Sequence, residues 1–95
     1  MITYKLIQQR PNTEVDFYTP SDISLSKINE YISAGKINGS LTSIISDNQL
    51  IKTLTLEIDD DFYEEILNDV TLSDEVEKRI AYCDKNLISF SVEVT

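Results

Sequence analysis

Apolar and polar residues alternate from the first positions of the chain. Ile2, Tyr4 and Leu6 fall on one side and Thr3, Lys5 and Gln9 on the other, the period-two signature of a strand with one buried face. Ile7 is the one apolar residue out of phase. Arg10-Pro11-Asn12-Thr13 suits a β-turn, with Pro second and Asn third. Val15 and Phe17 then either return as a hairpin partner or extend the first strand beyond a kink at Pro11. Thr19-Pro20-Ser21-Asp22 predicts a helix start: Thr as cap, Pro in the first helical position, Asp in the first turn. This helix buries Leu25, Ile28 and Ile32, with Tyr31 flanking them. Gly35 ends it, because a left-handed residue commonly closes a helix.

Ile37-Asn38-Gly39-Ser40 reads as a turn. Leu41 to Ser46 and Leu50 to Ile58 follow as two strands of a hairpin closed by Asp47-Asn48-Gln49. In the second, Leu54, Leu56 and Ile58 oppose Thr53, Thr55 and Glu57, while Ile44 and Ile45 leave the register of the first open. Asp59-Asp60-Asp61 opens a helix with the stripe Phe62, Ile66, Leu67 and Val70. Ser73-Asp74-Glu75 opens another, with Val76, Ile80 and Cys83 inward. Leu87 to Thr95 closes the chain as a strand with Ile88, Phe90, Val92 and Val94 against Ser89, Ser91 and Glu93.

The order β, α, β, β, αα, β matches the βαββαβ ferredoxin-like arrangement when the first hairpin is counted once. The expected fold is one α+β domain spanning residues 1–95, an antiparallel sheet of four to five strands with two to three helices on one face. The other face carries Thr3, Lys5, Gln9, Ile51, Thr53, Thr55, Glu57, Ser89, Ser91 and Glu93.

Composition narrows the chemistry. The 95 residues include 17 acidic and 8 basic side chains, for a net charge of -9, yet 41% of the chain is hydrophobic, which favours folding over disorder. No signal-peptide core and no apolar run of ~20 residues occurs, so a cytoplasmic protein is expected. A lone Cys83 makes no intrachain disulfide and is expected to be a buried core thiol. The absence of histidine removes the commonest general acid–base and the commonest transition-metal ligand. Gly35 and Gly39, the only glycines, build neither a phosphate loop nor a dinucleotide fingerprint. Asp59-Asp60-Asp61 with Glu64 and Glu65 lacks the spacing of a calcium loop and suits a helix N-terminus. No catalytic residue, cofactor or metal is expected. An RNA-binding sheet needs exposed aromatics and basic residues, whereas this face is Thr, Ser and Glu. The net charge also repels phosphate over a Debye length of ~8 Å.

No basic residue lies between Lys52 and Lys78, an interval holding Asp60, Asp61, Glu64, Glu65, Asp69, Asp74, Glu75 and Glu77. These eight define a candidate partner-binding acidic face, which would suit an inhibitor that mimics nucleic acid on a basic protein. The alternative surface is the Thr-rich sheet face with its edge strands, where self-association across a two-fold axis would use Ile7, Ile51 and Tyr18 as apolar anchors. The segment Gln9-Arg10-Pro11-Asn12-Thr13-Glu14-Val15-Asp16-Phe17-Tyr18, about a tenth of the chain, resembles small uncharacterised proteins of T4-like tailed phages. An AT-rich coding bias, abundant in Ile, Asn and Lys, agrees with that origin. The leading expectation is a non-enzymatic protein-interaction or assembly module, phage-encoded, acting in the host cytoplasm through a protein partner or itself. The acidic inhibitor stands second.

Overall fold

The computed structural model describes residues 1–95, apart from the side chains of Ser40 and Leu41. Its elements are β1 (Ile2–Gln9), α1 (Asp22–Ser33), β2 (Ile37–Ile45), β3 (Ile51–Ile58), a 3-10 turn (Asp60–Phe62), α2 (Tyr63–Leu67), α3 (Val70–Lys85) and β4 (Ser89–Val94). The four strands form one antiparallel sheet in the order β2-β3-β1-β4. This is an α+β fold compatible with the ferredoxin-like arrangement.

Register assigns the two faces. Tyr4 sits opposite Leu56 and Val94, Leu6 opposite Leu54 and Val92, and Gln8 opposite Lys52 and Phe90. This even-numbered face lies under the helices, and Leu6, Leu54, Leu56 and Ile58 are buried there. The odd-numbered face gathers Thr3, Lys5, Ile7 and Gln9 with Ile51, Thr53, Thr55, Glu57, Ser89, Ser91 and Glu93, as the alternation predicts. A core of Tyr31, Ile37, Leu56, Ile58 and Ile66 joins α1, β2, β3 and α2.

Several expected boundaries move, each for a local reason. Residues 11–18 form no strand, because β1 already pairs with β3 on one side and β4 on the other. Instead Arg10 holds this loop: it donates through Nη1 to the Val15 carbonyl (2.9 Å) and lies over the Phe17 ring. Its Nε donates to the Gln49 carbonyl at the β2–β3 turn (2.8 Å). The cap of α1 is Ser21, not Thr19, with Pro20 outside the helix. At the other end, Gly35 at φ +77° closes α1: its N–H donates to Ile32 and that of Lys36 to Tyr31, a paired motif that satisfies the last carbonyls. Within α1, Tyr31 and Ser24 are the buried residues, while Leu25, Ile28 and Ile32 are half-buried.

The Ile37–Ser40 turn signal is spent inside a strand. Ile37 pairs with Ile58 and is almost completely buried, and the register slips between Asn38 and Thr42. Gly39 at φ +71° marks the slip, the positive dihedral that a bulge accommodates most easily with glycine. The acidic helix is likewise shorter than its pattern. Asp59 caps a single 3-10 turn and α2 stops at Leu67, so Leu67 and Val70 are exposed and drop out of the predicted stripe. Ser73-Asp74-Glu75 does not start a helix, because α3 is already under way from its cap at Asp69.

Asp69 does double duty. Its Oδ1 accepts the Leu72 N–H (3.1 Å) and its Oδ2 accepts the Tyr31 hydroxyl (2.5 Å), coupling the start of α3 to the centre of α1. Asp69→Ala is expected to destabilise the fold by roughly 2–4 kcal/mol, a lost cap plus a buried hydroxyl without an acceptor. Urea unfolding measures it, and adding Tyr31→Phe to the same chain should recover part of the loss.

Candidate functional site

The eight acids of the predicted partner face divide into two groups. Asp60, Asp61, Glu64, Glu65, Asp74 and Glu77 are exposed. Of these, Asp60 pairs with the N-terminal ammonium (2.7 Å) and Glu65 with Lys36 (2.8 Å). Asp69 is turned inward on Tyr31 and approaches Lys27 at 3.7 Å. Glu75 does not belong to a surface at all, being only 5% exposed. The physical reason is local: Glu75 lies on the same stripe of α3 as Arg79 and Cys83, and that stripe faces the sheet.

Inside, Glu75 is fully hydrogen-bonded. Oε1 accepts the Tyr18 hydroxyl (2.7 Å) and the Ser21 N–H (2.9 Å), and Oε2 accepts the Ser21 hydroxyl (2.8 Å). Tyr18 is therefore no anchor on the open sheet face. Its N–H donates to Gln8 Oε1, its ring packs against that of Tyr82, and the Arg79 guanidinium lies over it. Burial pushes the Glu75 carboxyl up, but the Ser21 and Tyr18 donors outweigh it and hold the group below its ordinary range. Burial likewise works against Asp69, and the Tyr31 hydroxyl and Leu72 N–H reverse it. Tyr18 and Tyr31, desolvated and donating to these carboxylates, are each pushed up to about 12.

Arg79 is different. It is 4% exposed, yet its Nε–H is buried without an acceptor, and among the described residues its guanidinium donates to no protein group and no carboxylate oxygen comes within 4.0 Å. Glu75, one turn earlier, is its strongest charge partner, and the centre of the Tyr18 ring lies 5.2 Å from the guanidinium carbon. Burial lowers its affinity for its proton, and Glu75 opposes that. Gln8 Nε2 is a second buried donor without a partner. The burial of Arg79 left no mark in the amino-acid order, because Glu75 and Arg79 at i, i+4 look like an ordinary surface pair.

Arg79 lines a pocket of about 360 Å³ between α1, α3 and the central strands. Leu25, Ile28, Leu54, Leu72 and Val76 supply much of its wall, and exposed Ser73 and Glu77 lie at its rim. Cys83 is buried and its thiol is pushed up by burial, which leaves it a poor nucleophile. Among the described residues, no group of His, Cys, Asp or Glu is arranged to hold a metal ion.

The sheet ends in two edges, β2 and β4. The bulge interrupts β2, whereas β4 pairs with β1 without a slip and contains no proline and one charge, Glu93. Thr3 and Thr95 exchange N–H···O bonds in both directions. By antiparallel alternation, Ser89, Ser91 and Glu93 bond to β1, and the backbone groups of Phe90, Val92 and Val94 face the open edge. Their side chains lie on the helix side, but α3 leaves that border uncovered, with Val92 41% and Val94 46% exposed. Among the described residues, no helix is long and apolar enough to cross a membrane. The chain matches no family model, and comparison with curated proteins and solved structures yields no significant match.

The buried pairs set the pH dependence of stability. The folded-state carboxyls of Asp69 and Glu75 lie below their unfolded values, so their stabilisation is present above roughly pH 4 and lost as pH falls through the folded values. Tyr18 and Tyr31 lie above theirs, so stability holds below roughly pH 10 and is lost as pH rises toward about 12. Thermal melting across this range should show a plateau with two falling limbs. Glu75→Gln should make the acid limb shallower, measured relative to its own melting temperature at neutral pH.

Proposed function

We propose that the chain is a non-enzymatic assembly module that associates with a second copy of itself through β4. The carrying observation is the uninterrupted open edge of β4, where the free backbone groups and the uncovered Val92 and Val94 occur together. Natural sheets usually blunt such an edge with bulges, prolines, charges or a covering element.

An antiparallel pairing centred on Val92 fits the strand well. Phe90 would face Val94 of the second copy and Val92 would face its own counterpart, so each outward N–H and C=O meets a partner. On the opposite face Glu93 would fall beside Ser91 of the second copy rather than beside another Glu93. A register centred on Glu93 would instead oppose two like charges, which costs stability. The same pairing covers Val92 and Val94 on the helix side. The resemblance of residues 9–18 to small phage proteins supports a phage-encoded origin and a place in the host cytoplasm. The acidic-inhibitor reading loses support, since Asp69 and Glu75 are internal and Asp60 and Glu65 already have cationic partners.

Sedimentation equilibrium over a wide concentration range should show a reversible dimer that is insensitive to moderate salt. Val92→Lys, at an exposed position, should return it to monomer with an unchanged circular dichroism spectrum. A wild-type chain that stays strictly monomeric at high concentration would refute this reading.

A further inference from the structure

The Arg79 pocket carries an inference independent of the β4 edge. Two features of it are individually unfavourable. A buried guanidinium whose Nε–H has no acceptor bears a desolvation penalty, and apolar walls around an open volume forgo the packing that interiors normally achieve. One kind of ligand corrects both: an oxygen-bearing head for the N–H fork and a hydrocarbon body for the walls.

The head group follows from charge. Glu75 accepts three donors across its two oxygens and keeps its negative charge, so the site offers one cation without a protein acceptor beside one engaged anion. That arrangement accommodates a singly charged head, and a dianionic phosphate would need further positive groups that the pocket lining lacks. A planar carboxylate matches the guanidinium fork. The body follows from volume. An apolar cavity of ~150 Å³ takes benzene, so in proportion about 360 Å³ holds roughly ten to fifteen non-hydrogen atoms.

We propose that the pocket between α1, α3 and the sheet binds a medium-chain aliphatic monocarboxylate, with its carboxylate on Arg79 and its chain among Leu25, Ile28, Leu54 and Val76. The ligand would lie over the central strands, away from the β4 edge, so dimerisation and ligand binding can succeed or fail separately.

The test is a nitrogen–proton NMR titration with sodium decanoate, with 1-decanol as the uncharged control. Saturable one-to-one binding is expected, shifting the Arg79 Nε–H resonance and the backbone amides of Leu25 and Val76. Decanol should bind at least about tenfold more weakly, and Arg79→Met should weaken decanoate by a similar factor. Val76→Phe fills the cavity and should abolish binding in a chain whose amide spectrum remains dispersed. The proposal is overturned if folded wild-type protein shows no saturable decanoate binding. It is equally overturned if decanol binds as tightly as decanoate, or if Arg79→Met or a folded Val76→Phe chain binds decanoate like wild type.

Discussion

The arrangement of the helical layer depends on one buried carboxylate. Glu75 lies on α3, yet all three of its donors come from the segment that leads from β1 into α1. That segment has no regular structure of its own, so its path is set by such ties, together with those of Arg10 and the Tyr82 hydroxyl on the Asp16 carbonyl. Ser21 is the junction. It caps α1 by accepting the Ser24 N–H and gives both its own N–H and its hydroxyl to Glu75. Removing the carboxylate would leave part-buried Ser21 and Tyr18 donors unpaired as well as losing the attraction itself, and unsatisfied donors are the expensive part of such a change.

Placing Glu75 inside also places Arg79 inside, since the two are one turn apart on the same face. The inward stripe of α3 is therefore half polar, and the helix contributes less apolar volume than its length suggests. The space over Leu6 and Leu54 stays partly open as a result. The polar ties also act sideways. Tyr18 to Glu75 and Tyr82 to Asp16 tie α3 to the loop before α1.

What the amino-acid order discloses follows from period. The odd and even faces of β1, β3 and β4 were legible because a half-buried strand repeats every two residues, with Ile7 and Ile51 on the open face and buried Gln8 beneath the helices as the departures. Helix ends were less so. Thr19, Ser21, Asp69 and Ser73 are all competent caps by residue type, and tertiary bonds to Glu75 and Tyr31 select Ser21 and Asp69. Gly39 has the residue type of a turn and the register of a bulge, a distinction that needs β3 in place. Glu75 and Arg79 were illegible for a deeper reason: periodicity finds buried positions by their apolar character, and these two are buried because of partners more than 50 positions away in Tyr18 and Ser21.

Glu75 and Arg79 are both buried charges, but they do not raise the same question. Burying charged groups is often no better for stability than burying hydrophobic residues of similar size, so each retained charge calls for a further reason. Glu75 has one within the fold, because its oxygens organise the loop, the cap of α1 and the position of α3. Arg79 organises nothing through hydrogen bonds; it offers partial charge balance to Glu75 and a cation over the Tyr18 ring. A methionine could fill much of the same space without the desolvation cost. The asymmetry between a carboxylate with every oxygen engaged and a guanidinium with none points outward from the fold, toward a group that enters the pocket and accepts from Arg79.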